Sequence, residues 1–253
     1  MYILKESKDG IGEATKLKEI AEVPQFKDII APKVKAGLPS LSLPLAYFAY
    51  PDKQTVHYLS AMPSAKGKVM SEWATKYQKD PSPQNKELLN RAFSILGKET
   101  ANFHKLFMQA GQGKILGKTV AHGDFHLHNL FFDEIAGHFT FIDNETIALY
   151  LKNKIDPAID ICKPFYMPFN NTYDGFLAEI EGIDLKTWYE ITLKNFITGY
   201  VSIYPKTQQK KLLEELKTMF NTFDVPSWVA FHDLDKVRTE DINPVFDELI
   251  KAA

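Results

Sequence analysis

Apolar positions cluster in short runs near the N-terminus and recur at helical spacing over most of the rest of the chain. Tyr2-Ile3-Leu4-Lys5 has strand composition. After a turn at Asp9-Gly10, the spacing of Ile11, Ala14, Leu17, Ile20 and Ala21 predicts a helix over 11–22, stopped by Pro24. Leu43 to Tyr50 and Thr55 to Ala61 are apolar runs either side of Pro51-Asp52-Lys53-Gln54, which predicts a hairpin. Asp80-Pro81-Ser82-Pro83 is loop. From Gln84 onward Leu88, Leu89, Ala92, Phe93, Leu96, Phe103 and Phe107 fit one long helix, with Gly97 as its weak point. Thr119-Val120-Ala121 is an apolar lead-in to His122-Gly123-Asp124. Leu130 to Phe132 and Phe139 to Ile142 have strand composition around Asp133 to His138, a segment holding Gly137, so a second hairpin is expected there. Beyond Asp160 the pattern is helical: Tyr173 to Ile180, Lys186 to Ile203 behind Asp184 as N-cap, Thr207 to Phe220, and Asp241 to Ala252.

The composition is that of an ordinary globular protein, with 253 residues, 45% hydrophobic and 25% charged, a length suited to about one or two domains. Net charge is -2 and no Lys/Arg block stands out, which argues against a nucleic-acid partner. The single cysteine, Cys162, excludes an intramolecular disulfide and fits a reducing compartment. The N-terminus turns charged at Lys5-Glu6, too early for a signal peptide. The longest apolar run, Leu41 to Tyr50, is broken by Pro44 and falls short of the roughly 20 residues that cross a bilayer. A soluble, cytoplasmic protein with no membrane partner is therefore expected.

The second hairpin is where chemistry concentrates. A hairpin puts the residue before its first strand beside the residue after its second, which brings Asn129 and Asp143 together, with Asp124 a few residues upstream. Magnesium favours such oxygen ligands and commonly takes one or two from the protein, leaving other positions to water and phosphate. A nearby carboxylate such as Asp124 could then serve as base. This is the constellation that ATP-dependent phosphoryl transfer requires.

His122, Gly123, Asp124, His126 and Asn129 spell HGDxHxxN, and Ile142-Asp143-Asn144-Glu145 spells IDxE. Together they resemble the aminoglycoside phosphotransferase and choline kinase group of the protein-kinase-like superfamily. The likeness extends to Asp156-Pro157-Ala158-Ile159-Asp160, similar to the group's DPxxD, and back to Ala101-Asn102-Phe103-His104, similar to its LAxLH helix. With weaker N-terminal matches it spans roughly residues 2 to 165.

The resemblance implies a two-lobed α+β fold, with a reduced N-terminal nucleotide-binding sheet lobe over residues 1–64 and a mostly helical lobe over 65–253 that carries the acceptor site. It implies Asp124 as the base, Asn129 and Asp143 as magnesium ligands with Glu145 assisting, His122 propping the loop by hydrogen bonding, and Asp160 bracing it. Lys5 resembles the strand lysine that holds nucleotide phosphates. For its glutamate partner, Glu13 in GEATKLKEI fits the group's EAxxL pattern best, whereas Glu19 has the more usual separation. Ser60-Ala61-Met62-Pro63 resembles the inter-lobe hinge, where the backbone of Ala61 and Met62 would meet adenine. The implied cofactors are Mg and ATP, or GTP, and the implied partner is a small-molecule hydroxyl acceptor: an amino alcohol, an aminoglycoside or a sugar-like compound. HGD in place of HRD, and IDxE in place of DFG, favour such an acceptor over a protein.

One departure qualifies this expectation. The group's glycine-containing hairpin precedes the lysine, and here only four residues stand before Lys5. Either other parts hold the phosphates, or a protein partner completes the lobe, or the chain is an inactive nucleotide-binding or protein-interaction module. A different chemistry is offered by His122, Asp124, His126 and His128, which alternate; in an extended segment they would share one face and could bind zinc, as in metal-dependent hydrolases. Gly111 to Thr119 does not form a Walker A loop, because Gln112 occupies the required glycine position and the segment leads from a helix into a strand. His104 reads as a buried structural histidine. Trp188, Tyr189, Phe196, Tyr200 and Trp228 fit a helical core better than an aromatic cage for an organic cation. The acidic run Asp174, Glu179, Glu181 and Asp184 reads as a solvated face.

Overall fold

The structure, a computed structural model, describes residues 2–6, 11–29, 36–43, 46–52, 55–109, 111, 113–166, 185–223 and 234–253; the side chains of residues 2–5 and 11–14 are among those outside it. The fold is mixed α+β, with a sheet region at the N-terminus and mostly helices toward the C-terminus. Strand β1 (Tyr2–Glu6) is followed by helix α1 (Ile11–Glu22) and a 3-10 turn over Pro24–Asp28. Next come β2 (Ser40–Leu41), β3 (Ala46–Asp52), β4 (Thr55–Pro63) and β5 (Lys68–Val69). Then follow α2 (Met70–Lys79), α3 (Pro83–Phe107), the hairpin of β6 (Leu130–Asp133) and β7 (His138–Phe141), α4 (Ile147–Lys152) and α5 (Ala158–Tyr166). The last described elements are α6 (Leu185–Ile191), α7 (Leu193–Ser202), α8 (Lys206–Thr222) and α9 (Leu234–Ala252).

Two sheets organise the strands. In the first, β4 is central and antiparallel to both β1 and β3, with Lys5 opposite Ser60 and Ala46 opposite Ala61. In the second, the order is β2-β7-β6-β5. The two-residue strand β2 runs parallel to β7 and ties the N-terminal region to the hairpin, Ser40 facing Thr140 and Leu41 facing Phe141. Ser42 extends this junction: its N–H donates to the Phe141 carbonyl at 2.9 Å and its hydroxyl to the Pro63 carbonyl, also at 2.9 Å.

The long helix α3 is the axis of the helical region. Its buried stripe, Leu89, Ala92, Phe93, Leu96, Phe103 and Phe107, follows the predicted periodicity and packs against α7, α6, α2 and β7. Each of its Leu and Phe side chains stabilises the fold by about 1.5–3 kcal/mol on burial. Gly97, expected to weaken this helix, instead permits a close backbone approach. A Cβ there would lie 1.9 Å from the Phe196 carbonyl oxygen, and one at Gly199 would lie 1.9 Å from that of Ser94. The backbones of α3 and α7 thus touch through reciprocal glycines, and Gly97 is a packing device rather than a break.

Several elements depart from the expected pattern. Helix α2 was not anticipated, although Met70, Trp73, Ala74 and Tyr77 are buried at helical spacing. Helices α4 and α5 were not anticipated either; the latter carries Pro164 within its last turn. The single helix expected over 186–203 is divided into α6 and α7 at Thr192, yet the backbone ladder runs across it: the Thr192 N–H donates to the Trp188 carbonyl and the Phe196 N–H to the Thr192 carbonyl, both at 2.9 Å. Trp188, Tyr189, Phe196 and Tyr200 are all core residues. The expected helix over 173–180, the Asp9-Gly10 turn, the acidic run of 174–184 and Trp228 lie outside the described residues. Among the described residues, no helix is long and apolar enough to cross a membrane.

Candidate functional site

The segment from Val120 to Asp124 is held from below by α5. Asp160, on the first turn of that helix and fully buried, accepts the N–H of His122 at 2.7 Å on one carboxylate oxygen and that of Gly123 at 2.8 Å on the other. His104, reaching from α3, adds Nε2 at 3.1 Å from Asp160, while its Nδ1 lies 3.0 Å from the Tyr200 hydroxyl. Burial pushes the Asp160 carboxyl up, but the His104 hydrogen bond and charge, with His122 and the Gly123 N–H, outweigh it and hold the group below the usual carboxylate range. His104 is thus structural, as expected, and Asp160 braces the loop.

His122 is buried and its Nε2 donates to the Ile142 carbonyl at 2.9 Å, tying the loop to the end of the hairpin. Burial lowers the pKa of this imidazole against the opposing pull of Asp160. Its carbonyl accepts the Thr146 hydroxyl proton. Gly123 has φ +81, and a Cβ there would fall 2.4 Å from the Tyr150 ring, so both backbone and packing demand glycine. Tyr150, on α4, thereby flanks Asp124. Burial, then the charges of Asp160 and Asp124, raise the pKa of its hydroxyl.

Asp124 is about one-third exposed, at 35%. Asn129, at the end of the 3-10 turn Leu127–Asn129, donates its side-chain N–H₂ to the Asp124 carbonyl and to its carboxylate, both at 3.0 Å. Lys163 donates from Nζ to the other carboxylate oxygen at 2.6 Å and to the Gly123 carbonyl at 3.3 Å. His126 Nε2 stands 3.4 Å from Asp124. Burial pushes the Asp124 carboxyl up, but the hydrogen bond from His126 and the Lys163 ammonium overcome it and hold the group well below the carboxylate range.

The hairpin does what the sequence predicts of it: Leu130 faces Phe141, and the Ile142 N–H donates to the Asn129 carbonyl at 3.0 Å, so Asn129 is joined to the residue immediately before Asp143. Asp143 has φ 59 and ψ 51, the one non-glycine left-handed residue among those described. Such a backbone persists where the surroundings over-determine it. Here Asn144 donates to the carbonyls of Ser42 at 3.0 Å and Phe141 at 3.1 Å, and Thr146 bonds to His122. Glu145 lies in the same 3-10 turn, Asn144–Thr146, against which α1 packs.

The remaining expected positions are more dispersed. Lys5 is on β1 and Glu13 on α1, but their side chains lie outside the described residues. Glu19 forms an ion pair with Lys152 of α4 at 3.1 Å. Ala61 and Met62 lie near the end of β4, which closes at Pro63. Ala61 pairs with Leu4 and Ala46, while Met62 pairs with Ile3 and runs past the first paired residue of β3. The alternating histidines do not form an extended row, because the chain turns at Leu127–Asn129. His122 Nε2 is committed to Ile142, and His128 Nδ1 lies 3.2 Å from Ser71 Oγ of α2. Among the described residues no group of three or more His, Cys, Asp or Glu is placed to hold a metal.

Sequence reasoning missed Lys163 and Tyr150. For Lys163 a signal existed: it stands three residues after Asp160 in an otherwise apolar stretch, so on a helix the two share a face. Tyr150 carries no such mark. A cavity of about 620 Å³ opens between Lys114, Leu116, the start of α5 and α8; none of the expected site residues lines it. Comparison with protein-family models gave no match, and comparison with curated proteins gave none either.

Proposed function

We propose that this protein is a kinase-like phosphotransferase, with a nucleotide-binding lobe over residues 1–64 and a helical lobe over 65–253. It moves the terminal phosphoryl group of ATP or GTP to the hydroxyl of a small molecule such as an amino alcohol, aminoglycoside or sugar-like compound. The observation that carries this reading is Asn129, whose side chain grips the Asp124 carboxylate while its backbone carbonyl is bonded to the residue before Asp143. Base and candidate metal ligands are thereby one connected unit. Asp124 is the proton acceptor. Its depressed pKa keeps it ionised, so it orients the hydroxyl first and takes the proton as the new bond forms.

The donor set suits magnesium. Committing the Asn129 nitrogen to Asp124 turns its carbonyl oxygen away from that carboxylate, where it would hold the ion, and the carboxylate of Asp143 would supply a second hard oxygen ligand. When bound with nucleotide, magnesium supplies charge neutralisation on the phosphates. The chain itself supplies orientation: Asp160 and His122 fix the backbone of the loop, and Thr146 and Asn144 fix the turn after Asp143. Positioning and charge account for most of the catalysis of phosphoryl transfer, so this rigidity is functional.

The test is consumption of ATP and GTP against hydroxylated metabolites, amino alcohols, aminoglycosides and generic protein substrates, run beside Asp124→Asn. Acceptor-dependent turnover that Asp124→Asn abolishes is expected. Nucleotide binding with no transfer to any acceptor class would replace this reading with that of an inactive binding module.

A further inference from the structure

Lys163 is buried, its side chain 6% exposed, on a helix whose neighbouring residues are apolar. Removing an ammonium from water is costly, and the ordinary return would be structural. Part of that return is present, since Nζ donates to the Gly123 carbonyl at 3.3 Å, but the shorter bond, 2.6 Å, goes to the Asp124 carboxylate, which Asn129 and His126 also meet. What Lys163 adds is a positive charge at the point where hydroxyl, base and phosphoryl group would converge, carried on a flexible four-carbon stem able to change partner.

Resting on the phosphotransferase reading, we propose that Lys163 is a catalytic residue that moves from Asp124 Oδ1 to an oxygen of the terminal phosphoryl group during transfer. The acceptor oxygen bonds to the terminal phosphorus as the bond from that phosphorus to its bridging oxygen breaks, the electron pair leaving with the nucleoside diphosphate. The acceptor proton passes to Asp124, and Lys163 keeps its protons throughout. Moving the ammonium does two things at once. It places a cation on the phosphoryl oxygens, where charge accumulates, and it frees the Asp124 oxygen to receive the proton.

The experiment compares MgATP and MgADP binding by calorimetry in Asp124→Asn, which suppresses turnover, and in Asp124→Asn/Lys163→Met. A charge-assisted contact to the terminal phosphoryl predicts that the preference for ATP over ADP falls about 10- to 100-fold on losing the lysine, with ADP affinity unchanged. A purely structural lysine would not move this ratio. Should Lys163→Met fail to fold, Lys163→Gln in the same background reads the same ratio. MgATP binding with an ATP/ADP ratio unaffected by either variant overturns the assignment alone. Binding of neither nucleotide to the wild-type protein overturns the phosphotransferase reading and the assignment with it.

Discussion

Asp160 and Asp124 press their carboxylates against the same short loop, and both stay ionised, but by different means. Asp160 is wholly buried and accepts two backbone N–H groups and a histidine. Asp124 is a third exposed, and its carboxylate is met by side chains alone: Lys163, Asn129 and His126. Backbone donors cannot leave without unfolding the loop, whereas a lysine or histidine can swing away within its rotamers. The contrast separates a fixed brace from a carboxylate with exchangeable partners more sharply than the low pKa both share.

Removal of each carboxylate in turn should affect the molecule most. Asp160→Ala leaves two buried N–H groups and His104 Nε2 without their partner and is expected to lose about 3–5 kcal/mol in denaturant unfolding. Asp124→Ala, at a partly exposed site, should lose far less; equal losses would collapse the distinction. The pH dependence has a definite sign. Because the folded pKa of Asp160 is depressed, its contribution is present above the unfolded value of about 3.9 and disappears as pH falls through the folded value. The stability gap between wild type and Asp160→Asn should therefore close in acid.

Asp124→Asn should lower turnover by about 10²- to 10⁴-fold, the range for a positioned general base, with nucleotide affinity little changed in the same titrations. A rate indifferent to this change would remove Asp124 from the chemistry. Gly123 lies where the two systems meet, its N–H on Asp160 and its carbonyl on Lys163. Gly123→Ala forces a Cβ into a left-handed position and into the Tyr150 ring, and should cost about 1–2 kcal/mol in unfolding experiments from the backbone alone. It should reduce turnover as well, because both aspartates are displaced together.

A third carboxylate is shifted in the opposite sense, with a milder consequence. Glu99 on α3 is as buried as Asp160, yet burial raises its pKa, the His138 bond at 2.9 Å and the Phe139 N–H at 3.0 Å offsetting it only in part. Its stabilising contribution is largest below the unfolded glutamate value of about 4.3 and is lost as pH rises through the folded value. Glu99→Gln should then be within about 1 kcal/mol of wild type at pH 7, in the range of mild substitutions. Its melting temperature relative to wild type should rise between pH 4 and pH 8. A fall over that interval would show that Glu99 is held as firmly ionised as Asp160.

The elements most legible in the sequence were those with strong local periodicity. The predicted bounds of the helix over 11–22 are reproduced, the helix from Gln84 to Phe107 differs by one residue, and the hairpin around Gly137 has the predicted strands. Short elements were illegible because two-residue strands such as β2 and β5 have no period and exist only through pairing with β7 and β6. Helix α5 was hidden by Pro164 and by its brevity. Of the site, the residues that share one loop and one hairpin were visible, because short chain separation limits where they can go.

Local patterning in the sequence sets Asn129 beside the residue before Asp143, since the strands on either side of Gly137 pair as a hairpin. It also determined a helical C-terminal half through periodic burial of Leu and aromatic residues. It was tertiary packing that returned α5 beneath the loop, gave Asp160 its backbone donors, and brought Lys163, one helical turn further on, to Asp124. It likewise decided that Gly97 and Gly199 would meet. Contacts between segments distant along the chain depend on how whole helices pack, and packing is a property of surfaces that no local period encodes.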